Sequence, residues 1–376
     1  MLDFDQLSYW EKETYMNHAD VIVLGSGIVG LSTAIHLKLS APAKRVLVLE
    51  RSYLPFGAST KNAGFVCIGS PSEILDDLDS MPEDTVYQTI KKRWQGLLYL
   101  KTLLGEDAIG YLSLGSHELF DEHQMAVYEK CLQKLPYLNK MMQDITGMPT
   151  VFETQKEIIQ KNKFSGFSEA IQHHAEGQID TGKMMFALYQ KAIASGVKIL
   201  NGIEVSSIFP DRVETIFGVI RFKKLAICTN GFARQLIPNE DIEPARAQVL
   251  ITKPIKNLEI RGIYHFDAGY YYFRNVGDRI LFGGGRNQDF TGENTTKVET
   301  TAAITDHLEE LLKAKIFPHH DFEIEQKWAG IMGVGKTKSP IIKKLAANQY
   351  AAVRLGGMGV AIGSLVGKEL AEMILE

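Results

Sequence analysis

Cysteine is scarce: three residues, Cys67, Cys131 and Cys228, in a chain of 376. They are far apart and odd in number, so they fit neither a thiol-rich metal spacing nor a disulfide framework, and a reducing cytoplasm is the expected compartment. Long apolar runs are lacking too. None reaches the length needed to cross a bilayer, so no membrane partner is expected. The first 18 residues, MLDFDQLSYWEKETYMNH, are too polar for a signal peptide. Positive charge is not in excess: 41 Lys and Arg against 45 Asp and Glu leave a net charge of −4. With no basic patch interleaved with aromatics, a nucleic-acid partner is not expected. Repeats and low-complexity linkers are missing as well. What remains is an ordinary globular composition, 45% hydrophobic and 23% charged, long enough for two domains with separate cores.

The most informative stretch is residues 20–50, DVIVLGSGIVGLSTAIHLKLSAPAKRVLVLE. An apolar run at 21–24 reads as a buried parallel strand, and residues 31–39 carry helical periodicity. Between them Gly25, Gly27 and Gly30 fall on the GxGxxG spacing. Gly25 permits the tight turn, Gly27 lets a pyrophosphate approach the backbone, and Gly30 lets helix pack on strand. Ser26, Ile28 and Val29 complete the turn, whose free N–H groups suit phosphate. A second strand at 45–49 ends on Glu50, placed to accept hydrogen bonds from ribose hydroxyls, with Arg51 beside it. The alternative is a tight strand-to-helix turn with no ligand. The ordered sequence of strand, glycines, helix, strand and acid points to dinucleotide binding.

Downstream, residues 72–81, 83–105 and 121–146 read as helices, the last two amphipathic, with Met125, Met141 and Met142 as core filling. The IGYLSLGSHELF stretch between them alternates like a short hairpin, and the whole insertion is assigned to a second domain. Asp180 caps a helix over 181–195. The adjacent pair His173 and His174 is poor metal geometry and reads as surface or capping, as do His319 and His320; no metal site is expected. Residues 246–286 are rich in strands with period-two alternation. Tyr270, Tyr272 and Arg274 then share one face, either lining a polar substrate cavity or facing solvent. Residues 295–316 form an amphipathic helix, and the chain closes with a strand, a glycine turn at Gly356, Gly357 and Gly359, and a helix.

The loop GASTKNAGF closely resembles the GASGRNAGF signature of flavin-dependent amine and amino-acid oxidoreductases of the D-amino-acid oxidase type, a group that includes glycine, sarcosine and γ-glutamylputrescine oxidases. The lead-in SYWEKETY is similar to the last of these branches. The resemblance implies that Ser59, Thr60, Asn62, Ala63 and Gly64 contact the flavin, with Lys61 in place of the family's arginine. It further implies adenine contact by the Val205 backbone, cofactor approach by Thr229, Asn230 and Gly231 at a strand end, and by Gly330 in a W-x-G stretch. Gly357, Met358, Gly359 and Val360 match the family's C-terminal glycine–helix signature, where a helix N-terminus stabilises charge on reduced flavin. The resemblance thus covers nearly the whole chain. Family members also place a tyrosine and an arginine from the 270–286 hairpin near the substrate.

Two positions depart from the pattern. Met332 falls where some members hold the substrate carboxylate with an arginine, so either Arg274 supplies that charge or the substrate is an amine without an α-carboxylate. Leu281 falls where some oxidases carry an oxygen-activating lysine, leaving oxidase and dehydrogenase both open. No cysteine lies in the C-terminal region that carries covalent flavin in some relatives, which implies non-covalent FAD.

The expected fold is α/β, an FAD-binding Rossmann-like domain with a second α+β substrate domain built on an antiparallel sheet. Residues 1–80, 145–235 and 325–376 are assigned to the first, and 81–144 and 236–324 to the second. The expected reaction is oxidation of the C–N bond of a small-molecule amine or amino acid by hydride transfer to the flavin. O₂ or another acceptor would take the electrons. The alternatives are a 2-hydroxy-acid dehydrogenase of the same superfamily, a nicotinamide enzyme and a non-catalytic flavin-binding protein.

Overall fold

The computed structural model describes residues 6–16 and 19–376; residues 1–5 and 17–18 of the polar lead-in lie outside the described residues. The apolar run after the lead-in forms strand Ala19–Leu24, central in a sheet between Val46–Glu50 and Gly218–Ile227, parallel to both. Strand Lys198–Asn201 extends the parallel set on one side and Gln349–Val353 on the other. Strand Ile341–Ala346 closes the second edge antiparallel. Where both faces of this sheet are covered its strands are buried throughout: all five residues of Val46–Glu50 are buried, as are Leu225, Ala226 and Ile227 at the end of Gly218–Ile227.

Three helices cross one another against the sheet at positions where only glycine fits. A Cβ on Gly367, in helix Gly359–Leu375, would lie 2.6 Å from Ser32 Cβ and 2.7 Å from the Val29 carbonyl oxygen of helix Ile28–Ser40. On the other flank, a Cβ on Gly96 of helix Glu83–Leu104 would lie 2.2 Å from the Ala361 carbonyl oxygen. Leu31, Ile35, Leu97, Leu100, Val366 and Leu370 fill the space between them. Each such side chain contributes roughly 1.5–3 kcal/mol by leaving water.

The second sheet has eight strands: Ile324–Val334, Glu243–Thr252, Arg279–Gly284, Tyr271–Val276, Ile263–Phe266, Ser116–Phe120, Glu169–His173 and Phe152–Thr154. All neighbours are antiparallel except Ile263–Phe266 with Ser116–Phe120. One face carries an aromatic core in which Tyr264 stacks on Phe273 at 4.9 Å and Phe266 on Tyr271 at 5.0 Å. Helix Ala302–Leu311 adds Ile304 and Leu308 to that core.

Several expectations are corrected here. The Glu83–Leu104 helix, assigned with residues 81–144 to the substrate domain, packs on the C-terminal helix and joins the cofactor-side core. Strands Phe152–Thr154, Glu169–His173 and Ile324–Val334, assigned largely to the cofactor domain, belong to the second sheet. Local pattern marks a segment as strand or helix but does not say which sheet or core it joins; only its long-range partners decide that. The IGYLSLGSHELF stretch is no hairpin: Leu112 bridges Gln178, and Ser116–Phe120 pairs with distant strands. The helix expected over 295–316 begins only at Ala302. His173 is buried at 2% exposure rather than at the surface, edge-on to Phe152.

Candidate active site

Glycine, serine and asparagine in two turns build the entrance to one cavity of about 470 Å³ between the sheets. Strand Ala19–Leu24 ends at Gly25, whose φ of +95° a side chain would strain. Helix Ile28–Ser40 starts at Gly27 without a side-chain cap of its own; the Ile28 N–H donates instead to Ser59 Oγ at 3.0 Å. Gly25, Gly27, Ile28 and Val29 line the cavity. Ser26 and Gly30 do not. Ser26 is fully buried, its N–H and hydroxyl both donating to Glu50 Oε2, while a Cβ on Gly30 would meet the Gly25 carbonyl oxygen at 1.9 Å. Glu50 also accepts the Ser52 N–H through Oε1 and lines the cavity. A carboxylate has about four acceptor sites, so one remains for a ligand hydroxyl. Arg51 lines the same end, its guanidinium 3.9 Å from the Phe232 ring centroid.

The loop carrying residues 57–64 is held by its own asparagine. Asn62 donates to the Ser59 carbonyl at 2.8 Å and accepts the Gly64 N–H at 2.9 Å and the Thr181 hydroxyl at 2.9 Å. Ser59, Lys61, Asn62 and Ala63 line the cavity. Thr60 is exposed and bonds back to Pro55, and Gly64 lies behind the lining, against the Ile179 carbonyl. Lys61 sits over the Phe56 ring at 3.9 Å, and its carbonyl accepts the Trp328 indole N–H at 3.0 Å. Burial pulls the Lys61 ammonium below its ordinary range.

Val205, Thr229 and Asn230 also line the cavity, Thr229 beside Gly25, and the buried Thr229 hydroxyl has no protein partner. Gly231 does not line it; a Cβ there would meet the Met332 carbonyl oxygen at 2.3 Å. Gly330, Gly357, Met358, Gly359 and Val360 complete this wall. Helix Gly359–Leu375 starts there with no side-chain cap, and nothing lies within 4 Å of where a Cβ on Gly356 or Gly357 would point. An uncapped helix start at Gly359, the glycine turn at Gly25 and Gly27, a buried hydroxyl without a partner and bare glycine backbone suit an extended anionic dinucleotide, so the residues fit FAD.

The cavity continues onto the second sheet. Tyr272 lies between His265 and Gly283 in register, and both Tyr272 and His265 line the cavity. Burial, with Cys67 nearby, pushes the Tyr272 phenol up to about 12. Tyr270 precedes the strand, in the turn, and lines the cavity mouth at 40% exposure. Arg274 is a correction: it shares Tyr272's side of the strand but does not line the cavity. Its buried guanidinium donates to the Ala63 and Ile179 carbonyls, bracing the cofactor loop from behind. Burial pulls it down to about 10, so it stays charged at neutral pH.

Sequence reasoning missed the far wall, where Cys67, Glu73, Glu176, His265 and Arg286 line the cavity. Glu176 accepts the Ile68 N–H at 2.6 Å, the Gly69 N–H at 3.1 Å and the Ser116 hydroxyl at 2.6 Å. Burial alone would raise its carboxyl, but His173 and these donors hold it below its usual range. Glu73 pairs with Arg93 at 3.1 Å. Burial, reinforced by the two carboxylates, raises the Cys67 thiol well above its ordinary value, so it is no nucleophile. No local motif marks these residues; they meet through pairings over a hundred positions apart, such as Glu176 with Ile68. Met332 lines the cavity, and Leu281 packs with Ala63 and Val249 just behind it.

The sequence model of the "FAD dependent oxidoreductase" family matches residues 20–373. The β subunit of sarcosine oxidase from Rhizobium meliloti is 25% identical, covering 89% of this chain and 79% of that protein. The γ-glutamylputrescine oxidoreductase of Escherichia coli is 24% identical, covering 94% and 83%. The crystal structure of glycine oxidase from Geobacillus kaustophilus superposes with a TM-score of 0.76 at 17% identity, covering 95% of each chain, a likeness of fold.

Proposed function

We propose, from the premise that the chain belongs to the FAD-dependent oxidoreductases and acts on amines or amino acids, that its reaction breaks the C–H bond beside a substrate nitrogen and yields an imine that water hydrolyses. FAD, bound non-covalently, supplies the two-electron acceptor that takes the hydride at N5. The observation that carries this reading is the continuity of the cavity from the glycine turn at Gly25 and Gly27 to Tyr272 and His265 on the second sheet. A donor held at one end can thereby meet a cofactor held at the other, with orientation fixed by both walls.

The chain's own residues supply binding and electrostatics. The Glu50 carboxylate, the glycine turn at Gly25 and Gly27 and the uncapped start of helix Gly359–Leu375 address the nucleotide. The start of helix Gly359–Leu375 favours negative charge at the cavity wall, in keeping with the charge that two-electron reduction creates. Tyr272 stays protonated and is a hydrogen-bond donor to substrate, with Tyr270 at the mouth. No side chain is required as a general base, because the amine reacts in its neutral form. With FAD bound, O₂ or another acceptor would take up the electrons. Three free cysteines support a reducing, cytoplasmic setting.

The test is anaerobic mixing of the purified protein with polyamines, γ-glutamyl amines, sarcosine, glycine, D-amino acids and 2-hydroxy acids while the flavin absorbance is followed. Bleaching by an amine class is the expected result, and admitting air then separates oxidase from dehydrogenase. Bleaching by hydroxy acids alone, or by nothing, refutes the reading.

A further inference from the structure

We propose that Arg286 binds an anionic group of the substrate, a carboxylate, at the end of the cavity beyond Tyr272. Strand Arg279–Gly284 delivers it there: Gly283 pairs with Tyr272, Gly285 turns with φ of +78°, and Arg286 follows on the cavity wall. Among the described residues, it is the one arginine or lysine that lines the cavity from the second sheet.

Its Nε is buried and has no hydrogen-bond partner. Its guanidinium lies 5.1 Å from the Phe290 ring centroid, and Phe290 in turn packs edge-on to Tyr270 at 5.9 Å. The nearby carboxylate that would ordinarily neutralise it, Glu293, is committed elsewhere. Arg246 holds Glu293 through two bonds of 2.9 and 2.7 Å, and Gln248 adds a third at 2.9 Å. A buried guanidinium edge without an acceptor is costly, and a planar two-oxygen anion is the group that matches its fork.

Arg274 braces backbone carbonyls and Arg93 pairs with Glu73. Of the other lining cations, Arg51 lies over Phe232 at the Glu50 end and Lys61 over Phe56 in the 57–64 loop. Arg286 is the cation on the side of the second sheet, with its Nε unpartnered. The substrate class narrows to amino acids or amines bearing a separate acid group, and excludes simple polyamines. This narrowing rests on the amine-oxidation reading above.

The experiment titrates the FAD-loaded protein with propionate and with propionamide, its neutral isostere, following the flavin absorbance without turnover. Propionate is expected to give a saturable perturbation, with propionamide much weaker. Arg286→Gln is expected to weaken propionate by about 10- to 100-fold, the loss of one charge-assisted pair, while leaving propionamide unchanged. Arg286→Lys keeps the charge without the fork, recovers part of the affinity, and serves as the readout if the glutamine variant loses FAD. No perturbation by propionate, or propionate affinity unaltered in both variants, overturns the proposal. Because the titration requires no reaction, its failure is distinct from a failure of amines to bleach the flavin.

Discussion

Replacing Arg274 with methionine separates a substrate role from a bracing role. The guanidinium is buried at 6% exposure and donates to the carbonyls of Ala63 and Ile179, which belong to segments otherwise far apart in the chain. Methionine retains much of the aliphatic volume, removes the charge, and leaves both carbonyls short of a donor. Hydrogen bonds from a charged group are worth roughly 1.5–3 kcal/mol each, so the expected loss for the two is about 3–6 kcal/mol. For a chain of 376 residues unfolding in one cooperative transition, the unfolding entropy is about 0.8 kcal/mol/K, which places the fall in Tm at roughly 4–8 °C. Ala63 lines the cavity, so slackening its loop also weakens FAD. The assay is thermal unfolding together with an FAD titration of the stripped protein. The expected result is a lower Tm and weaker FAD binding, with KM changed only as FAD occupancy changes. An unaltered Tm and FAD affinity combined with a sharply raised KM would refute the bracing role and return Arg274 to the substrate.

Gly30→Ala should yield protein that purifies without yellow colour, because its Cβ would fall 1.9 Å from the Gly25 carbonyl oxygen and force the phosphate turn open; normal flavin absorbance would contradict this. His36 provides a pH signature. Burial first, then Lys368 and Lys191, pull its pKa to about 4, against about 6.5 in the unfolded chain. Between those values the unfolded chain binds the extra proton, so stability rises with pH through that window and is flat above it. Denaturant unfolding at pH 5 and pH 8 should show the difference, and His36→Gln should reduce it; an unchanged slope would remove His36 as its source. With saturating acceptor, kcat/KM for an amine should climb with pH until the substrate's own amine is deprotonated. A plateau set instead by a group of the protein would show that a general base takes part.

The glycine turn, the apolar strands flanking it and the Asp180 cap were legible because each is a local constraint. Backbone sterics at Gly25 and Gly27, and a carboxylate accepting the N–H three residues ahead, are decided within a few positions. The same locality explains why most residues assigned to the cofactor from motifs do line the cavity. The exceptions are instructive. Ser26, Gly30, Thr60, Gly64 and Gly231 belong to the motifs yet lie behind the wall; Gly30 packs against the turn as its spacing implies, whereas the partners of Ser26, Gly64 and Gly231 are far away in the chain.

By itself, the sequence determined the glycine turn between strand and helix, the family, and an antiparallel sheet with aromatics in period-two alternation. Tertiary structure alone decided which side of that sheet each polar side chain serves. Arg274 and Tyr272 share a face by alternation, yet one is spent on the Ala63 carbonyl 211 positions away while the other reaches the cavity. Arg286 is distinguished only because Arg246 has taken Glu293, 47 positions distant. A buried charge takes its function from whichever partner it is left with, and chain order does not specify partners. Folding does, by bringing competing donors and acceptors together and leaving one of them unpaired at the cavity wall.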